Sequence, residues 1–128
     1  MFSKSISCKI LNLLNVNDIE NLEPFQFNNY QINNSNVLIS RTGFSGDLGY
    51  EIWCDPADAL NIWDSLFKFN RDYKVLPTGM NALDMVRIEA GFIQPNADFM
   101  SAEQALRPNR MRNPYELGLS WLVAVSYT

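Results

Sequence analysis

The 128-residue chain contains no histidine. Histidine is the commonest general base and metal ligand in proteins, and it is the central member of the Ser-His-Asp triad. Its absence excludes every catalytic triad and every metal centre that depends on an imidazole. Any chemistry must use carboxylates, arginine, lysine, tyrosine, hydroxyl groups or the backbone, and we expect no metal site.

Cysteine is scarce as well, and long apolar runs are missing. The chain has two cysteines, Cys8 and Cys54, without a CxxC pattern, which is typical of free, buried thiols in a reducing compartment. No apolar run approaches the ~20 residues of a membrane span. The first residues, MFSKSISCKILNLLN, lack the cleavage site of a signal peptide. These absences predict a cytoplasmic location and no membrane partner.

Basic charge is also in deficit. The formal net charge is −4 and the sequence pI is about 4.6, which argues against a nucleic-acid partner bound by bulk electrostatics. The hydrophobic content of 47% is that of a folded globular chain. The length suits one domain with a modest core.

Hydrophobic spacing and capping residues predict a mixed α+β fold. The expected helices and helical turns are Ile6–Leu14, Asp18–Leu22, a helix from Asp55 to about Asn70, and Gly79–Ala90. The expected strands are Phe25–Ile32, Asn36–Thr42, Tyr50–Cys54, a short strand at Lys74–Pro77, and a last strand from Leu117. Strands mixed with two helices in one layer indicate a two-layer, ferredoxin-like sandwich.

These elements divide the chain into four segments of one domain. Residues 1–24 form a helical lead-in, residues 25–92 a core, residues 93–116 a long loop, and residues 117–128 the final strand. The predicted helices carry capping signals: Asp55 and Thr78 as N-caps, and Gly91 after the last turn. The predicted buried stripes are Ala59, Ile62, Trp63, Leu66 and Phe67 on one helix, and Met80, Leu83, Val86 and Ala90 on the other.

The segment Ser40–Trp53, SRTGFSGDLGYEIW, is the first candidate site. In the structural interpretation the glycines turn the chain, Arg41 pairs with a neighbouring carboxylate, and Glu51 is a solvated strand residue. In the functional interpretation Glu51 binds a ligand, with Tyr50 and Trp53 as aromatic walls. A carboxylate there can accept two parallel hydrogen bonds from a flat heterocycle that carries an amino group and a ring N–H.

Two charged clusters are further candidates. Asp84 and Arg87 are three residues apart on a predicted helix, so they form either a structural ion pair or a pair that orders the glycine loop. The segment RPNRMRNP is either a solvated face or the holder of a polyanionic ligand tail such as a chain of glutamates. Its basic residues are Arg107, Arg110 and Arg112.

Three motifs in order resemble the aminomethyltransferase family, which includes the glycine cleavage T-protein and the dimethylglycine and sarcosine dehydrogenases. They are ISRTGFSGDLGYEIW, LPTGMNALDMVRIEAGF and NPYELGLSWLV. The resemblance implies the second, ferredoxin-like domain of that fold, incomplete here, in a parent that transfers a one-carbon unit from an aminomethyl or N-methyl donor to tetrahydrofolate. Glu51 matches the family glutamate that binds the pterin. Arg41, Asp84 and Arg87 would order the loop, and a lipoyl carrier protein would be a partner of the parent.

The sequence also departs from the family pattern. Leu83 stands where T-proteins carry an arginine that helps to bind the ligand. The family's catalytic aspartate belongs to a domain that this chain does not match. We therefore expect a fragment without a catalytic residue, inactive by itself, whose exposed apolar surface drives homo-oligomer formation. The alternative is a non-enzymatic folate-binding or self-associating assembly module.

Overall fold

A computed structural model describes residues 5–123 of the chain. The chain divides into two compact units, one ending at Ala90 and the other beginning at Gly91. The sequence analysis treated residues 1–128 as one partial domain, with a segment boundary between residues 92 and 93. No helix within residues 5–123 has the length and apolarity to cross a membrane.

The first unit is a small α+β structure, as predicted. Its helices are α1 (Ile6–Leu13), α2 (Ala59–Phe67), α3 (Asn70–Tyr73) and α4 (Met80–Glu89), with a 3₁₀ turn at Ile19–Asn21. Its strands are β1 (Phe27–Ile32), β2 (Ser35–Ser40) and β3 (Glu51–Cys54). They form an antiparallel sheet in the order β1-β2-β3.

The β1–β2 hairpin confirms the prediction made from its polar turn. Asn33 and Asn34 connect the strands with φ angles of +49° and +68°. Asparagine tolerates this left-handed region better than most residues, and two such residues in succession match the right-handed twist of a hairpin. The turn sets the register that pairs Ile32 with Ser35 and Phe27 with Ser40.

One face of the sheet packs on α1 and α2 to make the core. Side chains alternate along each strand, so the buried apolar residues of β1 and β2 lie on the same face. The cluster of buried apolar residues is Cys8, Leu11, Val16, Ile19, Leu22, Ile32, Val37, Ile39 and Ile62. The opposite, outer face carries Phe27, Asn29, Leu38, Glu51 and Trp53.

Capping residues explain where α1 begins and where α4 ends. Ser5 caps α1, because its Oγ accepts a hydrogen bond from the backbone N–H of Cys8 at 3.3 Å. Gly91 has a φ of +78° and follows the last turn of α4, which confirms its predicted role as a helix terminator. The prediction for Thr78 is wrong, since Gly79 occupies the N-cap position and no side chain bonds there.

The start of α2 also differs from the prediction. Asp55 was the expected N-cap, but its Oδ1 accepts a hydrogen bond from Ala57 N at 2.9 Å in a turn that precedes the helix. Aspartate competes for nearby backbone N–H groups in this way, and the turn delays the helix to Ala59. The Pro56 position is therefore part of a turn instead of the first helical residue.

The buried stripe of α2 is partly as predicted. Ile62 and Ser65 are buried, and Leu66 and Phe67 are half-buried. Ala59 and Trp63 are exposed, contrary to expectation. Ser65 was not predicted to be buried, because the predicted stripe contained only apolar residues. Its hydroxyl donates to the carbonyl of Asn61 at 2.7 Å, and this hydrogen bond allows the polar side chain to be buried.

The inward stripe predicted for α4 is wrong. Met80 is 76% exposed, Val86 and Ala90 are exposed, and Leu83 is half-buried. Arg87 is instead the buried residue of this helix, with 2% exposure. A long guanidinium side chain can be buried when a carboxylate neutralises its charge, and its partner is described below.

Two predicted strands are absent from the described residues. Lys74–Pro77 has no regular structure, because α3 occupies Asn70–Tyr73 and Lys74 ends it in the left-handed region, with a φ of +52°. The described part of the last strand, residues 117–123, contains a 3₁₀ turn at Ser120–Leu122, so the strand prediction is wrong there. Residues 124–128 lie outside the described residues. The second unit's other regular element is the 3₁₀ turn Pro108–Arg110.

Candidate functional site

Strand β3 presents its neighbouring side chains to two different environments. Glu51 and Trp53 lie on the outer face, where Trp53 is 62% exposed. Tyr50 and Ile52 turn towards the core. The sheet register places Glu51 opposite Ser40 and Trp53 opposite Leu38. The outer face therefore offers a carboxylate and an indole ring two residues apart on one strand.

Two hydroxyl groups orient the Glu51 carboxylate. Thr42 Oγ1 donates a hydrogen bond to Glu51 Oε2, and Ser40 Oγ lies 2.8 Å from Thr42 Oγ1. A threonine hydroxyl has one proton, and Thr42 uses it on Glu51, so Ser40 must donate to Thr42. We call this chain of hydrogen bonds, from Ser40 through Thr42 to Glu51, the hydroxyl relay. Ser40 is buried at one end of the relay, and Glu51 is exposed at the other.

The carboxylate keeps most of its accepting capacity. Within residues 5–123, Thr42 is the hydrogen-bond donor to Glu51, and no lysine or arginine forms an ion pair with it. A carboxylate has two oxygens and about four acceptor positions. Glu51 can therefore accept further hydrogen bonds, with Oε1 facing no donor of the described chain.

The glycine loop, residues 43–49, is closed on itself and packed against α4. A methyl group on Gly43 would lie 3.9 Å from Gly49 Cα, so the two ends of the loop meet. Gly46 has a φ of +78°, and a Cβ there would lie 2.3 Å from the Ala90 Cβ. Only glycine allows this approach. Ser7 of α1 donates to the carbonyl of Leu48 at 3.2 Å, which fixes the other side of the loop.

The Tyr50 side chain packs against the core, and its hydroxyl forms hydrogen bonds there. Its hydroxyl donates to the carbonyl of Ile19 at 3.3 Å and lies 3.2 Å from Cys8 Sγ. Because the tyrosine proton is used on Ile19, the Cys8 thiol is the donor of the second bond. Burial raises the pKa of Tyr50 above its ordinary value. Tyr50 and Glu51 thus face opposite sides of the sheet, and Trp53 is the aromatic side chain that shares the Glu51 face.

The residues expected to order the loop lie in two separate places. Arg41 Nη1 donates to the carbonyl of Leu22 at 2.8 Å, and Arg41 N donates to Gln26 O at 2.9 Å, so Arg41 fixes the segment before β1. Asp84 Oδ1 accepts from both Nε and Nη2 of Arg87, at 2.7 and 2.6 Å. This is the predicted i, i+3 pair on α4.

A cavity of about 370 Å³ lies on the core side of β3, away from Glu51. No sequence motif indicated this cavity, because its walls come from four separate segments. The ring centroids of Trp63 and Phe67, one turn apart on α2, are 4.6 Å from each other, and this i, i+4 aromatic pair is the local signal that points to it. Its lining residues are Ser7, Ile10, Leu11, Tyr50, Ile52, Trp63, Leu66, Phe67, Val75, Leu76, Pro77 and Thr78.

Comparison with known proteins identifies a family whose matched span includes the segment that contains Glu51. Residues 7–127 match the GCVT N-terminal domain family, a span that covers most of the chain. The chain belongs to the aminomethyltransferase family. An aminomethyltransferase of Pseudothermotoga lettingae is 32% identical over 108 residues, which is 84% of this chain and 27% of the relative. One from Halothermothrix orenii is 32% identical over 117 residues, which is 91% of this chain and 30% of the relative.

The chain is also similar to a relative with a different name and a greater length. The trimethylamine-oxide aldolase of Ruegeria pomeroyi is 39% identical over 87 residues, which is 68% of this chain and 10% of that protein. The chain thus spans less than a third of the length of the curated relatives that it matches. Within residues 5–123, no group of three cysteine, aspartate or glutamate side chains could hold a metal ion.

Proposed function

We propose that this chain is the pterin-binding part of a T-protein-like aminomethyltransferase. The parent protein would transfer a one-carbon unit from an aminomethyl or N-methyl donor to tetrahydrofolate. Membership of the aminomethyltransferase family supports the reaction class. We further propose that the first unit corresponds to the ferredoxin-like second domain of that fold, three of whose strands are β1, β2 and β3.

The oriented carboxylate of Glu51 is the observation that carries this proposal. The hydroxyl relay from Ser40 through Thr42 fixes one oxygen and leaves the other free to accept. A pterin presents an amino group and a ring N–H on one edge, and a carboxylate can accept both. Trp53 lies on the same face and offers a flat surface for the ring. Tyr50 then supports the strand from within and does not form a wall of the site.

Tetrahydrofolate supplies the nitrogen that accepts the one-carbon unit. The role of this chain would be positioning: Glu51 fixes the pterin edge, and the glycine loop holds β3 against α4 and α1. Leu83, in the position of the family arginine, is half-buried on α4. The missing guanidinium removes a charge-assisted contact worth about 1.5–3 kcal/mol, so we expect weaker folate binding than in T-proteins that have it.

Calorimetric titration with 5-formyltetrahydrofolate tests the proposal. Glu51→Gln keeps the shape of the side chain but removes the charge and one acceptor, so the affinity should fall about tenfold or more. Glu103→Gln is the matched control, because Glu103 is an exposed glutamate of the second unit and the substitution changes the charge equally. Equal affinity for Glu51→Gln and wild type would remove Glu51 from the site.

Two alternative functions and two protein partners also stay predictions. A non-enzymatic folate-binding module would use the same carboxylate, so the titration alone does not separate it from the enzyme. A self-associating module is favoured by two exposed aromatic rings, that of Phe25 and that of Phe27, which lies on the outer face of the sheet. A lipoyl carrier protein is the predicted partner of the parent protein, and a second copy of the chain is the predicted partner of the isolated fragment.

A further inference from the structure

The second unit contains two arginine side chains with no role in the Glu51 site. Arg107 precedes the turn Pro108–Arg110 and lies three positions before Arg110, whose backbone N donates to the carbonyl of Arg107 at 3.0 Å. Residues three apart in a 3₁₀ turn lie on the same side, and proline at the first position restricts the backbone. The turn therefore brings the backbone positions of Arg107 and Arg110 close together.

Both arginines line one cavity of about 290 Å³. The other walls are Met100, Gln104 and Leu106, so no carboxylate faces this space. Within residues 5–123, neither Arg107 nor Arg110 forms an ion pair with an aspartate or glutamate. Two like charges thus line one cavity without an ion-pair partner among the described residues, and an anion bound between them would stabilise this arrangement.

The third arginine of this segment has a structural task. Arg112 Nη1 donates to the carbonyls of Asn109 and Met111, at 3.2 and 3.0 Å. Met111 N in turn donates to the carbonyl of Pro108 at 3.2 Å. These bonds fix the end of the turn, so the geometry that positions Arg107 and Arg110 is maintained by the segment's own backbone.

The nearest acidic side chains have other partners. Arg110 also borders a second cavity of about 440 Å³, whose lining includes Asp98 and Glu116. Glu116 Oε2 accepts a hydrogen bond from Asn113 N at 2.9 Å, and Asp98 Oδ2 accepts one from Gln94 N at 2.7 Å. These carboxylates cap turns of the backbone, and Arg107 does not border their cavity.

We propose that the Arg107–Arg110 cavity binds a small di- or tricarboxylate. Each guanidinium can form two parallel hydrogen bonds with one carboxylate, and the Gln104 amide supplies another donor. Met100 and Leu106 give apolar walls that suit the methylene groups between carboxylates. The volume is about ten times that of a water molecule in liquid, which suits several carbon atoms better than one phosphate. This inference does not depend on the Glu51 site.

Calorimetry of the full chain with citrate, inorganic phosphate and acetate tests the proposal. Wild type should bind citrate saturably and more tightly than phosphate, with acetate weakest, since one carboxylate cannot engage both arginines. Arg107→Gln should weaken citrate binding about tenfold or more. Arg110→Lys keeps the charge but loses the planar fork, so it should weaken binding by a smaller factor. Arg71→Gln, at an exposed arginine of the first unit, should leave binding unchanged.

The possible results separate clearly. Citrate binding that depends on Arg107 but not on Arg71 supports the proposal. Absence of saturable citrate binding, or equal losses in the Arg107→Gln and Arg71→Gln variants, overturns it as a general charge effect. Phosphate binding at Arg107 as tight as that of citrate overturns the assignment to carboxylates. Circular dichroism of each variant should match wild type, since neither arginine makes a side-chain hydrogen bond within residues 5–123.

Discussion

The two faces of the segment that contains β3 differ, because one packs in the core and the other carries the candidate binding residue Glu51. On the core face, Tyr50 uses its hydroxyl on Ile19 and Cys8. On the outer face, Glu51 receives one hydrogen bond from Thr42, and its other oxygen has no donor within the described residues. The residues are adjacent in sequence, yet the hydroxyl of Tyr50 has its partners within the fold, whereas one oxygen of Glu51 has no donor among the described residues.

This difference separates a stabilising polar group from a candidate binding group. A buried hydroxyl must find partners inside the protein, because leaving it unpaired costs about 1–3 kcal/mol. An exposed carboxylate has no such requirement, since water can solvate it. The relay from Ser40 to Thr42 to Glu51 is therefore not demanded by burial of the carboxylate, and orientation for a ligand is the explanation that we favour.

Removing a side chain from the core face of the sheet should cause the largest loss of stability. Ile39 is fully buried, at 0% exposure, and pairs with Ile52 across β2 and β3. Ile39→Ala should lower the free energy of unfolding by about 2–5 kcal/mol, because it removes apolar contacts and leaves a cavity. Chemical denaturation measures the loss. Asn29→Ala on the outer face is the control and should change stability by less than about 0.5 kcal/mol. Similar losses in the two variants would contradict the assignment of faces.

Removing the Tyr50 hydroxyl should have an intermediate effect. Tyr50→Phe leaves the Ile19 carbonyl and the Cys8 thiol without their partner, at a cost of about 1–2 kcal/mol in unfolding free energy. Because burial raises the pKa of Tyr50, the unfolded chain ionises first as the pH rises above about 10. The stability due to the neutral hydroxyl is present below that pH and is lost above it.

Denaturation between neutral pH and the alkaline range measures this effect. Tyr50→Phe should lose stability less steeply above pH about 10 than wild type does. Tyr115→Phe is the control, because Tyr115 is exposed and its hydroxyl makes no hydrogen bond within residues 5–123. An unchanged alkaline slope in Tyr50→Phe would mean that the hydroxyl is not held in the interior.

Local signals in the sequence were sufficient for much of this sheet. The hairpin follows from alternating residues and from Asn33 and Asn34, whose preference for positive φ is a property of the residues themselves. The same alternation places Glu51 and Trp53 on one face. The i, i+3 spacing of Asp84 and Arg87 likewise predicts their ion pair, since both lie on one helix.

Contacts between distant segments were beyond such reasoning. The Cys8 thiol meets Tyr50 across 42 positions, and no pattern in either segment indicates that meeting. Periodicity gives α4 an apolar stripe, but it does not say which surface that stripe will meet. The core of the first unit contains no residue of α4, and Arg87 is buried instead. The sequence likewise does not indicate that Gly46 packs against Ala90, because the two residues are far apart in the chain.

The smallest effect on stability should come from the outer face, at Thr42. Thr42→Val keeps the shape of the side chain but removes the donor to Glu51, so the carboxylate loses its orientation. We expect a change in unfolding free energy below about 1 kcal/mol, and about three- to tenfold weaker binding of 5-formyltetrahydrofolate. Thr42→Ser keeps the hydroxyl and should restore most of the affinity. Binding by Thr42→Val equal to wild type, with Glu51→Gln still impaired, would show that Glu51 needs no relay. A stability loss as large as that of Tyr50→Phe would instead make the relay a part of the fold.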